Sequence, residues 1–199
     1  MTLRTEDLAQ LIQQRRSCYL FKDKQSAPLQ TNTLKTCLEA ALWAPNHKLT
    51  QPWRFWVLGS QSQAVLASTY AALRAGSRAE VDSEAYRLHY TSAVEKFLQI
   101  PQIVLVGQVL SDDAVIRKED YAACACGIQN LQLMAWQQGI GVQWSTGPIL
   151  QAQATYDLLE QSPERIELIG ALYMGYVQGD CNNQSAKRKP LESVSVWLD

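Results

Sequence analysis

Residues 41–58 read ALWAPNHKLTQPWRFWVL, and the stretch changes character half-way. Before Pro45 the spacing is helical. Leu34, Cys37, Leu38, Ala41 and Leu42 share one face of a helix that Thr31 or Thr33 opens. Pro45 has no amide hydrogen and clashes with the preceding turn, so the helix stops there. From Trp53 to Leu58 aromatic and β-branched residues take over, the composition of a strand. A helix handed to a strand makes this a mixed chain.

On the N-terminal side, Leu8, Leu11 and Ile12 predict a helix over 5–16, with Thr5 as its N-cap. That helix runs into Arg15, Arg16 and Ser17, after which Cys18, Tyr19, Leu20 and Phe21 return to core-like character. Two readings of the arginines stand side by side. They complement the dipole at a helix C-terminus, or they wait for an anion.

On the C-terminal side, residues 61–75 and 84–98 read as helices separated by Gly76-Ser77-Arg78. Residues 102–106 (QIVLV) form a short apolar strand. A long helix covers 119–138 and ends at Gly139. Residues 142–144 are a further strand, 149–161 a helix, and 167–174 (ELIGALYM) the last strong strand. Helices come in pairs twice and no strict βαβ rhythm appears. The expectation is α+β, a sheet flanked by helices, in one domain spanning 1–199.

Composition narrows function. The chain has 199 residues, 18 basic and 19 acidic, for a net charge of −1. No global field draws it to nucleic acid or an anionic membrane, so an anion site has to be local. The polar N-terminus is no secretory signal and no stretch reaches the about 20 apolar residues of a membrane span. Cytoplasmic is the expectation. Five scattered cysteines argue against a disulfide framework. Cys124 and Cys126 point to opposite sides of a helix and make a poor metal pair, so no metal is expected.

Familiar catalytic signatures are missing. Gly139-Ile140-Gly141 lacks the third glycine of a dinucleotide fingerprint and follows a helix where it should open one. GxSxG, HExxH and the phosphate loop are absent, and His47 and His89 are the only histidines. An enzyme built this way takes its reactive group from a cofactor, with no catalytic side chain of its own.

The residues carry a resemblance. RRSCYLF at 15–21 and the AP…QPW segment at 44–53 precede PQIVLVG at 101–107, GIGVQWSTG at 139–147, IGALYMGYV at 169–177 and KRKPLESV at 187–194. In that order they resemble the nitroreductase family of flavin enzymes over nearly the whole chain. The Asn46-His47-Lys48 form between Pro45 and Gln51 is similar to the compact branch called minimal nitroreductases.

The resemblance implies a nitroreductase-like fold with a mostly antiparallel sheet. It implies a homodimer that holds FMN at the subunit interface, with the helix at 119–138 as an interface element. Arg15, Arg16 and Ser17 would hold the phosphate, ribityl chain or ring edge, and guanidinium groups suit a phosphate dianion well. Arg188 would add a late phosphate contact, with Lys187 its rival. His47, with Trp43 beside it, would reach the flavin of the second subunit. Trp144, Ser145 and Thr146 would lie along the flavin, although Ser145 stands where minimal relatives carry arginine. Trp53 reads as core. Arg15 or Lys48 would donate to the reduced ring.

The implied activity is two-electron, ping-pong hydride transfer from NADH or NADPH to a nitroaromatic, quinone or similar small acceptor. The alternative is an FMN-binding protein for storage or sensing, with little turnover.

Overall fold

The computed structural model describes residues 4–179 and 187–198, so Cys181 lies outside the described residues. The elements in chain order are α1 (Thr5–Gln14), α2 (Thr31–Ala41), β1 (Trp53–Val57), α3 (Ser60–Gly76), α4 (Glu84–Leu98), β2 (Gln102–Val109), α5 (Ala114–Gln137), β3 (Ile140–Ser145), α6 (Gln153–Leu158) and β4 (Ile166–Tyr176). The four strands form one sheet in the order β1-β2-β4-β3, antiparallel at every pairing. The α+β expectation holds.

Both faces of the sheet are covered, and strand residues alternate between two cores as the two-residue period of a strand requires. Val104 and Val106 of β2 turn to one side, where they pack with Leu34, Cys37 and Ala41 of α2 and Ile128 and Leu131 of α5. Ile103 and Leu105 turn to the other, against Leu66 of α3, Phe97 of α4 and Tyr156 of α6. A bulge opposite Val106 and Gly107 inserts Ile169 as an extra residue in β4. Trp53 is buried in the first core, as expected.

Local chemistry explains the helix ends. Asp113 accepts from the amides of Val115 (2.7 Å) and Ile116 (3.3 Å), and so starts α5 at Ala114, five residues before the expected start. Gly139, at φ 72°, ends α5 as expected. Ser83 caps α4 by accepting from Tyr86 N at 3.1 Å. The buried Gln63 of α3 donates to the Phe97 and Ile100 carbonyls at 2.8 and 2.9 Å, closing the far end of α4.

Two expectations need correction. Thr5 is the first residue of α1 and not its cap; Arg4 holds that place and its guanidinium bonds Asp7 instead. The helix expected over 149–161 is a 3-10 turn at Pro148–Gln151 followed by the six-residue α6, because Ala152 takes an extended conformation between them.

Candidate functional site

After α1 the chain runs extended, and its path is set by two missing side chains. Ser17 bridges Val142 in parallel, at the outer edge of β3, and the Cys18 amide donates to the Val142 carbonyl at 3.3 Å. Phe21 then bridges Val177 beyond the end of β4 and Lys22 N donates to Tyr176 O at 2.8 Å. Between these anchors residues 18–21 cross the sheet over Gly141 and Gly175, which are direct cross-strand partners. A Cβ on Gly141 would come within 2.5 Å of Cys18 Cβ, and one on Gly175 within 3.1 Å of Phe21 Cβ. Cys18 is driven inward to full burial, so Ser17 and Tyr19 on either side of it stay exposed.

The two arginines divide the readings offered by the sequence. Arg16 Nη1 donates to the carbonyls of Gln13 (2.5 Å) and Arg15 (2.9 Å), and so satisfies acceptors at the end of α1. Arg15 turns inward. Its Nη1 lies 3.5 Å from Oε1 of the buried Gln132 on α5, and its Nε is buried with no hydrogen-bond partner among the described residues. Arg15 holds its proton less firmly than usual, first because of burial, then because Arg16 and Arg188 repel it; Cys18 acts in the opposite sense. Arg16, its neighbour, and Arg188, far along the chain, are thus both close enough for their charges to weigh on Arg15. Of the two late basic residues, Arg188 and not Lys187 has its charge felt at Arg15. A buried donor without a partner and an excess of like charge fit a multiply charged anion.

Beyond Tyr19 lies a cavity of about 450 Å³ lined by Tyr19, Tyr70, Lys96, Gln143 and Tyr173, among others. Gln143 and Tyr173 are cross-strand partners on β3 and β4. Tyr70 stacks on Phe97 at 4.6 Å between ring centres, and Phe97 meets Tyr173 edge-on at 6.2 Å. Burial pushes the Tyr173 phenol up to about 12; nearby Ser145 partly offsets this, yet no well-formed hydrogen bond closes on the phenol oxygen. The sequence reading missed this aromatic wall. Its one signal was a tyrosine in the otherwise apolar ELIGALYM, since a buried phenol calls for a partner.

The remaining expected site residues fall at the end of β3 and in the stretch between α2 and β1. Trp144 is half-buried and its indole N–H donates to Ile169 O at 3.1 Å, over a Gly170 whose Cβ would come within 2.3 Å of Nε1. Its indole thus has a structural place, created by the bulge. Thr146 is exposed after β3. Trp43 stands 85% exposed beside an apolar groove of about 370 Å³ shared with Leu8, Leu11, Leu133 and Met134. His47 opens the exposed turn His47–Leu49, in which Lys48 adopts φ 51°. Cys124 is buried and Cys126 exposed. Among the described residues no cluster of His, Cys, Asp and Glu could hold a metal ion, and no helix is long and apolar enough to cross a membrane.

Known proteins are similar to this chain in sequence and fold. The Bacillus subtilis (strain 168) protein YfhC, an NAD(P)H nitroreductase by name, is 35% identical over 144 residues, 72% of this chain and 71% of its own length. A nitroreductase-like family protein from Bacillus cereus superposes with a TM-score of 0.81 at 26% identity, covering 100% of this chain and 99% of the other. A protein from Desulfovibrio desulfuricans, named as a nitroreductase and solved with FMN, gives 0.71 at 24% identity over 100% and 99% of the two chains; at that identity the likeness is one of fold. Residues 12–176, from the approach to Arg15 through the whole sheet to the end of β4, match the family described as the Nitroreductase family. The chain belongs to the nitroreductase family.

Proposed function

We propose that this protein is an FMN-dependent NAD(P)H oxidoreductase that works as a homodimer. The observation that carries the reading is the buried Nε of Arg15, without a hydrogen-bond partner among the described residues and under the like charge of Arg16 and Arg188. Such a set matches a phosphate dianion. Ser17 adds a hydroxyl next to it. The segment from Arg15 to Tyr19 is extended, and leads from the arginines toward the cavity beside Gln143, a span of roughly 13 Å at the rise of a strand. That direction suits a ligand with an anionic head and a planar ring. YfhC is named for NAD(P)H, and the Desulfovibrio protein was solved with FMN.

When bound, FMN would supply the hydride acceptor and donor chemistry that no side chain of this protein offers. The chain's own part is to hold and orient. Arg15, Arg16, Ser17 and Arg188 anchor the head; Ser145 and Thr146 flank the ring, with Trp144 fixing the end of β3 beneath them. Lys48 donates to the ring where negative charge grows on reduction. Trp43 and His47 serve the site of a second copy. Leu42, Trp43 and Leu49 are 50%, 85% and 76% exposed on one short segment, an apolar surface that a second copy would cover. Reduced nicotinamide and a nitroaromatic, quinone or similar acceptor use one open face in turn. The buried thiols Cys18, Cys37 and Cys124 suit the cytoplasm.

The purified protein should be yellow and release FMN on denaturation. Under anaerobic stopped flow, NADH or NADPH should bleach it rapidly, and a nitroaromatic or quinone should restore the colour. A flavin that stays oxidised would instead make this a storage or sensing protein. A colourless protein that takes up no FMN would end the cofactor reading.

A further inference from the structure

The loop between α2 and β1 holds three non-glycine residues in the left-handed region: Lys48 at φ 51°, Leu49 at 55° and Gln51 at 45°. Each costs free energy that the surroundings must over-determine, and such strain gathers at working sites. The surroundings here are specific. Thr50 Oγ1 donates to Asp120 Oδ1 on α5 at 2.6 Å. Gln51 N donates to Asn46 Oδ1 at 3.0 Å, and Arg54 Nη1 donates to Gln51 O at 3.2 Å. Asp120 is only 4% exposed, while His47, Lys48 and Leu49 on the loop point to solvent. A buried carboxylate is thus spent on fixing an exposed, strained loop to the longest helix of the fold.

We propose that Asp120 is a positioning residue which, through Thr50, holds residues 47–51 in the shape that presents His47 and Lys48 to the flavin site of a second copy. The inference rests on the dimeric FMN reading above. The hydrogen bond by which the carboxylate fixes Thr50 is charge-assisted and so among the stronger kinds. No residue of the loop needs to touch Asp120 except Thr50, so the loop surface stays free for the ligand.

The test uses the full-length chain with Thr50→Val, which keeps the shape and removes the donor, and Thr50→Ser, which keeps the donor. Asp120→Asn, which keeps the shape and removes the charge, serves as a second variant. Two quantities are read: the rate of tryptic cleavage after Lys48 in flavin-free protein, followed by mass spectrometry, and the FMN dissociation constant by fluorescence titration. T50V should raise cleavage and weaken FMN binding about tenfold or more, with T50S close to the parent in both and D120N between them. The melting temperature of the flavin-free chain should fall in T50V, which leaves the buried carboxylate short of a donor, and stay near the parent in T50S. Faster cleavage with unchanged affinity would overturn the presenting role; unchanged cleavage would overturn the hold of Asp120 on the loop. If the parent chain binds no FMN, the presenting role falls with the cofactor reading, and the cleavage arm still judges the Asp120 contact by itself.

Discussion

Gly141 lies under Cys18 with no room for a side chain between them: a Cβ on the glycine would stand 2.5 Å from Cys18 Cβ and 2.7 Å from its sulfur. Cβ is fixed to the backbone and cannot swing aside, so the crossing segment itself has to move. Gly141→Ala should therefore destabilise the protein by about 1–3 kcal/mol or more in denaturant unfolding, the range of core overpacking. Cys18→Gly in the same chain should recover part of that loss, whereas Cys18→Ala, which keeps the Cβ, should not. Additive effects in the double variants would argue against the contact.

The arginines should separate by function. Arg15→Gln removes a partly buried donor that Arg16 and Arg188 repel. The flavin-free protein should lose little stability or gain some, while FMN affinity falls by roughly ten- to a hundredfold, the equivalent of about 1.5–3 kcal/mol for a hydrogen bond to a charged group. Arg188→Gln should behave likewise, with a smaller loss because its side chain is exposed. Arg16→Gln should also cost α1 its carbonyl contacts and lower the melting temperature. Isothermal titration and thermal melts on the three variants check this pattern. Equal losses of stability with unchanged affinity would restore the helix-end reading for all three.

Two buried thiols predict an alkaline weakness. Burial pushes Cys37 up to about 11, and burial together with Asp120 pushes Cys124 up to about 12. In the unfolded chain a thiol loses its proton near pH 8.5. The folded form therefore keeps protons that the unfolded form has lost, and stability falls as pH rises from about 9 through about 11. Each thiol contributes a slope of up to roughly 1.4 kcal/mol per pH unit in that window. Below pH 8 the contribution is flat. Cys124→Ala should make the decline shallower, whatever it does to absolute stability; urea midpoints between pH 7.5 and 10.5 measure the slope.

The sequence made the elements more legible than the site. The helix expected over 84–98 is α4 to the residue, because Ser83 supplies a local cap and the polar stretch before it a clear break. The strand at 53 and the stop at Gly139 are likewise local signals. α5 began five residues early because Asp113, in the polar Ser111-Asp112-Asp113, is a cap and not loop filler. The convergence of Arg15 with Arg188 depends on chain positions 173 residues apart, and only the family resemblance pointed to it. Trp144 was beyond local reading for a different reason. Its indole partner, the Ile169 carbonyl, is offered where a bulge adds a residue to β4. The strand's own mark of the bulge is Gly170, which does not say which side chain packs over it. The split between Arg15 and Arg16 was also hidden, since both lie past the end of α1, where the chain turns extended, neighbouring side chains point to opposite sides and only packing decides which turns inward.

The sheet has two rims, and β3 forms one of them. Ser17 and Cys18 dock on that rim at Val142. An uncovered strand at a rim invites pairing with other chains. The segment that follows Arg15 and Arg16 therefore also serves as a guard against clumping. A polypeptide in which residues 15–21 fail to seat would lose more than its ligand: it would present a bare ribbon to its neighbours, so that damage to this one crossing should surface in cells as insoluble protein before it surfaces as a slow enzyme.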